Sequence, residues 1–144
     1  MLIDPPLKEY IEKARVARLA TVDTEAFPHL VPVVFAFDTK NFFIPIDEKK
    51  KSVKPDRLKR LRNIENNPNV ALLLDQYTED WSQLNFVVIQ GMAFILRKET
   101  SGDPFLFQNI NKILTIKYPQ YQKIGVGELL IMIKPRKIIS WKND

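Results

Sequence analysis

The cationic side chains of residues 49 to 62 are the part of the sequence whose residue types and spacing point most directly to chemistry. This segment, KKKSVKPDRLKRLR, holds eight of the 22 lysines and arginines and a single acid, Asp56. Such a concentration of positive charge favours an anionic partner, either a nucleic acid or the phosphate of a small ligand. The alternative is a solvated basic helix face that binds nothing, and composition alone leaves both open.

The position of these cations relative to a helix favours phosphate. Pro55 fits the first turn of a helix that Asn67-Pro68 ends, with Lys59 and Arg60 expected on its polar side. Each cation near the start of a helix opposes the macrodipole, at a cost of about 0.3–1 kcal/mol, unless an anion lies there. The residues expected to hold a phosphate are Lys51, Lys54, Arg57, Lys59 and Arg60.

The only histidine, His29, lies between Pro28 and Pro32 in a segment that is otherwise typical of a β-strand. A histidine that acts as a general base needs a partner to orient it. The nearest acids, Asp23 and Glu25, lie on the turn of the same hairpin. We therefore expect His29 to have a structural role, and the sequence predicts no catalytic side chain.

The rest of the composition excludes several classes of site. The 144 residues contain no cysteine, which excludes disulfides, thiolate nucleophiles and cysteine-bound metals. A single histidine excludes a histidine-rich metal site, and no metal is expected. The sequence has no run of about 18 apolar residues and no signal-peptide pattern, so we expect a cytoplasmic protein without membrane contact.

The chain has the length and the hydrophobic content, 45%, of one folded domain covering residues 1–144. Asp4-Pro5-Pro6 begins a helix that ends near Arg15, and Asp103-Pro104 begins another, so with the basic helix we expect about three. Strands are predicted over residues 16–23, 30–38, 42–46, 70–77, 85–96 and 129–141.

Six nearly apolar strands joined mostly by short turns favour antiparallel neighbours and a closed or split barrel in an α+β fold. Gly91, inside the long fifth strand, predicts a bulge or bend. Pro135 cannot donate a hydrogen bond to a neighbouring strand, so the last strand is expected at an edge of the sheet.

Three stretches taken together resemble a known superfamily. They are ARLATVD…PHLVPVVFAFD, LKRLRNIENNPNVALLLD and YTEDWSQLNFVVIQGMAF, which extend from about Ala14 to Leu96. They are similar to the flavin-binding split β-barrel proteins typified by pyridoxamine 5′-phosphate oxidase, and most similar to the small branch that uses the deazaflavin coenzyme F420. The resemblance implies a six-stranded antiparallel split barrel with Greek-key character. It also implies a homodimer that binds FMN or coenzyme F420 at two interface sites.

The resemblance also implies roles for individual residues. The basic residue that binds the cofactor phosphate in the family corresponds to Arg60, with Lys59 before it. The second strand of the family passes its backbone beneath the ring system, and the residues expected to line that ring here are Thr21, Pro32, Val33 and Val34. Tyr77 and Trp81 are expected either as walls near the substrate or as packing in the dimer interface.

Departures from the family pattern narrow the expected activity. Leu30 and Phe35 stand where the oxidase carries a basic pair, and its C-terminal Arg-x-His motif has no counterpart, so oxidation of pyridoxamine phosphate is not expected. We expect hydride transfer between FMN or F420 and an unidentified small substrate. The alternatives are a barrel that sequesters a cofactor or haem without catalysis, and a nucleic-acid-binding small barrel. The second is disfavoured because Phe35, Phe37 and Phe42 lie in apolar strands, away from Lys and Arg.

Overall fold

Seven strands form one antiparallel sheet in the part of the chain that the structure, a computed structural model, describes: residues 3–46 and 58–143. In chain order they are β1 (Ala17–Val22), β2 (Pro28–Val33), β3 (Ala36–Phe37), β4 (Phe42–Pro45), β5 (Asn69–Gln76), β6 (Asn85–Arg97) and β7 (Leu129–Lys142). Their order across the sheet is β2-β1-β5-β6-β7-β4-β3. The helices of the same residues are α1 (Pro5–Lys13), α2 (Lys59–Asn66), α3 (Pro104–Lys117) and α4 (Tyr121–Ile124), with a 3₁₀ turn at Trp81–Gln83.

The two edges of this sheet belong to one continuous apolar run of the sequence. β2 pairs with β1 at one edge, β3 pairs with β4 at the other, and only Val34 and Phe35 separate β2 from β3. The sheet must therefore curl until its edges approach each other, which confirms an α+β fold with a curled antiparallel sheet. The expected six strands and three helices were wrong by one each, because the predicted strand over residues 30–38 breaks in two and α4 was not foreseen.

Side chains alternate between a buried inner face and a more exposed outer face of the sheet. On β1, Ala17, Leu19 and Thr21 are buried, whereas Arg18 and Ala20 point outward. The inner face packs against α1 and α2 in the main core. A second apolar cluster lies beneath α3 and contains Phe43, Phe107, Ile110, Leu114 and Leu130.

The bulge expected at Gly91 is confirmed. Gln90 pairs with Lys137 and Gly91 with Pro135, so Arg136 is the extra residue on β7. The edge position expected for β7 was wrong, because β7 lies between β6 and β4. Its pairing with β4 ends at Ile133, so the missing N–H of Pro135 lies beyond the last residue of that partner strand.

Helix α2 begins later than the sequence predicts. Leu58 has the extended dihedral angles φ −61° and ψ 139°, so the first helical residue is Lys59. The helix ends at Asn66, as expected before Asn67-Pro68. Four of the basic-segment predictions, on Pro55, Lys51, Lys54 and Arg57, fall on residues outside those that the structure describes.

Within residues 3–46 and 58–143, none of the helices has the length and apolar content needed to cross a membrane.

Candidate functional site

Helix α2 packs against β1 and β6, and polar side chains of α2, of β1 and of the turn after β1 come together there. Asn63 Nδ2 donates a hydrogen bond of 2.9 Å to Thr21 Oγ1, and both residues are buried. Lys59 Nζ lies 3.5 Å from Asp23 Oδ2. We call this region the α2 rim, formed by Thr21, Asp23, His29, Lys59, Arg60 and Asn63.

Arg60 lies on the side of α2 that faces the sheet. Residues three and four positions apart share a helix face, so Arg60 lies beside Asn63 and Ile64, which are both buried. Its Nε atom is inaccessible to solvent and has no hydrogen-bond partner among the described residues. Burial lowers the pKa of Arg60. The expectation that Arg60 projects from the polar side was therefore wrong, because Arg60 shares a helix face with two buried residues and its Nε atom is shielded from solvent.

Lys59 is the more exposed cation of the rim, and an acid already lies beside it. The Asp23 carboxylate accepts hydrogen bonds of 2.9 Å from the N–H groups of Phe27 and Glu25. The hydrogen bond from the Phe27 N–H group is the main cause that lowers the pKa of Asp23. The bond from Glu25 and, more weakly, the neighbouring Lys59 lower it further. Asp23 therefore stays ionised at neutral pH and offsets much of the Lys59 charge, which leaves Arg60 as the rim cation without an anion in the described part of the chain.

His29 contributes a second buried nitrogen to the rim. It lies directly opposite Thr21 in the β1–β2 pairing, so its side chain is on the inner face. Its Nδ1 atom is shielded from solvent and has no hydrogen-bond partner in the described part of the chain. No carboxylate orients the imidazole there, and the structural role of His29 stays a prediction.

The residues expected near a ring occupy β2 at a distance from the rim. Pro32 lies opposite Arg18 on the outer face, Val33 is buried opposite Ala17, and Val34 lies in the break. Three strand positions separate the level of Thr21 from that of Arg18, about 10 Å along the sheet. The Thr21 hydroxyl accepts the hydrogen bond from Asn63 and is buried, which leaves little of this side chain accessible to a ligand.

Tyr77 and Trp81 follow β5 at the opposite end of the sheet. Each is 63% exposed, and Trp81 Nε1 donates a hydrogen bond of 3.4 Å to the Tyr77 hydroxyl. β5 has eight residues and starts beside α2, so this aromatic pair is about 25 Å from the α2 rim. Within one chain, the structure does not bring Tyr77 and Trp81 together with Lys59 and Arg60.

A cluster that the sequence did not reveal surrounds the break between β2 and β3. Lys117 Nζ donates a hydrogen bond of 3.2 Å to the Phe35 carbonyl oxygen and lies 3.7 Å from the centre of the Phe35 ring. The Tyr118 hydroxyl oxygen lies 3.4 Å from Phe35 N, from which it accepts a hydrogen bond. We call Lys117 and Tyr118 the Phe35 anchor. The only sequence signal was a lysine and a tyrosine at the end of an apolar helical pattern.

A shallow groove of about 540 Å³ crosses the outer face, on the side of β1 opposite to Thr21. Ala20 and Ala71 supply small side chains to this groove, Gly91 leaves its backbone uncovered there, and Arg136 and Lys137 supply positive charge. Among the described residues there is no group of three or more His, Cys, Asp and Glu side chains that could hold a metal ion.

Comparisons with known proteins agree with this architecture. A curated relative, 5a,11a-dehydrotetracycline/5a,11a-dehydrooxytetracycline reductase of Streptomyces rimosus, is 28% identical over 92% of this chain and 78% of its own length. The haem storage protein HutZ of Vibrio cholerae has a similar fold, with a TM-score of 0.71, 15% identity and coverage of 99% of this chain and 95% of the other. An F420 reductase gives a TM-score of 0.64 at 16% identity, covering 95% and 98% of the two chains. The family described as pyridoxamine 5′-phosphate oxidase matches residues 3–142, and the chain therefore belongs to that family.

Proposed function

We propose that this protein is an oxidoreductase that binds FMN or coenzyme F420 and transfers a hydride between the cofactor and a small substrate. The observation that carries the proposal is Arg60, which is half-buried, whose Nε atom is shielded from solvent, and which has no anionic partner among the described residues. A buried cation is costly unless it is paired. A cofactor phosphate supplies the missing anion, with oxygen geometry that suits a guanidinium group.

The layout of the α2 rim and the strand break fits a cofactor with a phosphate at one end and a ring at the other. Arg60, and Lys59 beside it, would hold the phosphate at the rim. Pro32, Val33 and Val34 would carry the ring, starting about 10 Å along β2. Lys51, Lys54 and Arg57 remain expected phosphate ligands from the sequence.

The cofactor would supply the redox chemistry, and the chain would supply binding, orientation and exclusion of water. This division suits a sequence without cysteine and with one histidine. The name of the Streptomyces relative, a reductase, and the fold shared with an F420 reductase support reduction as the reaction type.

The outer face supports the proposal of a homodimer. Leu30 is 65% exposed, Trp141 45% and Ile139 38%, and the Trp141 ring stacks on that of Phe86. The apolar side chains that pairing places on this face are Ala20, Val22, Pro28, Leu30, Pro32, Ala71, Leu73, Phe86, Val88, Ile139 and Trp141. A second copy packed here would bury about 1,200–2,000 Å² in total, the area that is usual for a stable protein–protein interface.

A dimer of this kind would also explain the position of the exposed aromatic pair. A two-fold axis through the outer face near Leu73, the middle of β5, exchanges the two ends of the sheet. Tyr77 and Trp81 of one subunit would then approach the α2 rim of the other, about 25 Å from their own rim. We propose that they form walls of the substrate site across the interface.

Oxidation of pyridoxamine 5′-phosphate is not the proposed reaction. Phe35, at a position where the oxidase carries a basic residue, is fully buried, and Leu30 presents an apolar side chain on the outer face. Neither can bind the phosphate of that substrate. With FMN present, we expect no measurable pyridoxal 5′-phosphate, and rapid formation of that product would contradict this part of the proposal.

A second candidate function is storage or sequestration of a cofactor without turnover. The fold shared with the haem storage protein of Vibrio cholerae favours it over the nucleic-acid alternative. Phe35, Phe37 and Phe42 are buried in the core, where they cannot stack on bases.

The experiment that tests the proposal is the visible absorption spectrum of the purified protein after incubation with FMN, F420 or haem and removal of unbound ligand. We expect retention of FMN or F420 at one per subunit and, once the bound ligand has been chemically reduced, its reoxidation by hydride transfer to a small substrate. Retention of haem alone would contradict the proposal. Light scattering should give the mass of a dimer at micromolar concentration, and a monomer would contradict the interface site.

A further inference from the structure

The backbone of Phe35, in the break between β2 and β3, is held by side chains from the end of α3. Phe35 is fully buried, and its N–H and C=O groups bond to Tyr118 and Lys117, 83 and 82 residues along the chain. The Tyr118 O–H group lies 2.9 Å from the Arg15 carbonyl oxygen and 3.3 Å from that of Phe35. The position of the break therefore depends on two specific side chains of α3 and its end.

The Lys117 ammonium group binds Phe35 at two points. It donates to the carbonyl oxygen at 3.2 Å and lies 3.7 Å from the ring centre, within the range of a cation–π interaction. Backbone and side chain of Phe35 are thus fixed by the same positive charge. Because Val34 directly precedes Phe35, the course of Val33 and Val34 along the sheet edge is fixed as well.

The surroundings of Lys117 make this charge sensitive to pH. Burial is the main cause that lowers the pKa of Lys117 to about 8, and Arg15 lowers it further while Glu12 of α1 opposes the shift. Arg15 also donates a hydrogen bond of 2.7 Å to the Lys117 carbonyl oxygen and lies 4.7 Å from the centre of the Tyr118 ring. Among the residues that the structure describes, Arg15, Glu12 and Tyr118 are therefore the charged and titratable groups around Lys117.

We propose that Lys117 and Tyr118 are positioning residues for the cofactor ring, because by fixing Phe35 they set the backbone of Val33 and Val34 beneath that ring. This inference rests on the proposed function and extends it to residues that do not themselves touch the cofactor. The protonated ammonium group holds the carbonyl oxygen and the ring of Phe35 most firmly. Loss of its proton leaves a weaker hydrogen bond and no cation–π interaction, so the ring segment becomes less well defined.

The test compares riboflavin, FMN and F420 binding at pH 7 and pH 9 for wild type, Lys117→Met and Lys117→Arg. Lys112→Met is the matched control, since Lys112 is an exposed lysine of the same helix. The affinity of wild type should fall about tenfold between the two pH values, the equivalent of 1.4 kcal/mol. Lys117→Met should bind weakly at both, and Lys117→Arg, which keeps its charge, should restore tight binding at pH 9. Lys112→Met should behave as wild type.

The choice of ligands separates this role from phosphate binding. Because the anchor acts on the ring segment, riboflavin and FMN should lose affinity by the same factor. Melting curves identify any variant that has lost its fold, and Tyr118→Phe supplies a second variant that should also weaken the binding of both. The amide NMR signals of Val34 and Phe35 in the protein without cofactor should shift with pH in wild type and not in Lys117→Met.

Two failures have different meanings. Tight binding that neither pH nor Lys117→Met changes would overturn the positioning role and leave the proposed function intact. If none of the three ligands binds wild type, the proposed function fails and the positioning role fails with it. A loss confined to FMN, with riboflavin unaffected, would also overturn the inference, because the anchor would then act on the phosphate.

Discussion

Replacement of Lys117 by Met should change how the stability of the protein depends on pH. The pKa of Lys117 is about 8 in the folded protein, against 10.5 for an unperturbed lysine. Below pH 8 the group is charged in both the folded and the unfolded chain, so folding buries an ammonium ion at full cost. Between pH 8 and 10.5 the unfolded chain binds the proton and the folded chain does not, so the free energy of unfolding rises with pH.

The size of the effect follows from this shift. Between pH 7 and 9.5, a group with these two pKa values adds at most about 2 kcal/mol to the free energy of unfolding, at 1.36 kcal/mol per pKa unit. Above pH 10 the effect is obscured, because burial raises the pKa of Tyr118 and its later ionisation lowers stability in that range. The measurement therefore belongs between pH 7 and 9.5.

Urea denaturation of wild type, Lys117→Met and the control Lys112→Met at several pH values provides the assay. The stability difference between wild type and Lys117→Met should shift by up to about 2 kcal/mol in favour of wild type as the pH rises. Lys112→Met should follow wild type at a constant offset. Parallel curves for wild type and Lys117→Met would refute the reasoning, because Lys117 would then titrate alike in the folded and unfolded chains.

Three further substitutions test the framework around the site by urea denaturation. Gly91→Ala should destabilise the fold by about 2 kcal/mol or more, because the added Cβ would collide with the Lys134 carbonyl group; an unchanged midpoint would contradict the close approach. Ala26→Gly should stabilise by about 0.5–1 kcal/mol, since Ala26 has a φ of 66°, and a loss of stability would show that this strain is absent. Asn63→Ala should cost about 1–3 kcal/mol by leaving buried Thr21 Oγ1 without its donor, and a smaller loss would indicate that another group replaces it.

Local patterns in the sequence predicted most of the elements. The helix expected to begin at Asp103-Pro104 does so, and the Asp103 side chain caps it by accepting a hydrogen bond of 3.0 Å from the Leu106 N–H group. The bulge at Gly91 was also predictable, because a glycine inside a long strand often marks a bulge or a close approach of two backbones. The cap joins residues that are near each other in the sequence, and the bulge is indicated by a single glycine, although its partner residues lie on β7.

The misses arise where one pattern is compatible with two arrangements. The run from Leu30 to Asp38 is apolar on both sides of Val34, so its periodicity does not reveal that it serves two edges of the sheet. Pro135 indicates that β7 lacks a hydrogen-bonded neighbour on one side at that residue. In the structure this is because β4 ends its pairing at Ile133, not because β7 lies at an edge of the sheet. The charge of Arg60 led to the prediction that it lies on the polar side of α2. Its spacing from Asn63 and Ile64 instead places it on the buried face of the helix.

The candidate site was predictable in part. The cationic helix and the strand beside it could be recognised from residue types and family resemblance. The distance of about 25 Å between the α2 rim and Tyr77 depends on the direction of β5, which only the fold supplies. The Phe35 anchor joins residues 82 and 83 positions apart, and a single sequence carries no signal of that contact.

The most direct test of the central claim compares FMN and F420 with riboflavin, which lacks a phosphate, for binding to wild type and to Arg60→Met. Methionine keeps the apolar part of the side chain in place, and Arg62→Met, an exposed position on the same helix, is the matched control. Whichever phosphorylated cofactor binds wild type should lose about 10- to 100-fold in affinity with Arg60→Met, the equivalent of one charge-assisted hydrogen bond of 1.5–3 kcal/mol. Riboflavin binding should not change, and Arg62→Met should match wild type. If Arg60→Met binds the phosphorylated cofactor as tightly as wild type does, Arg60 holds no phosphate and the proposed site is contradicted.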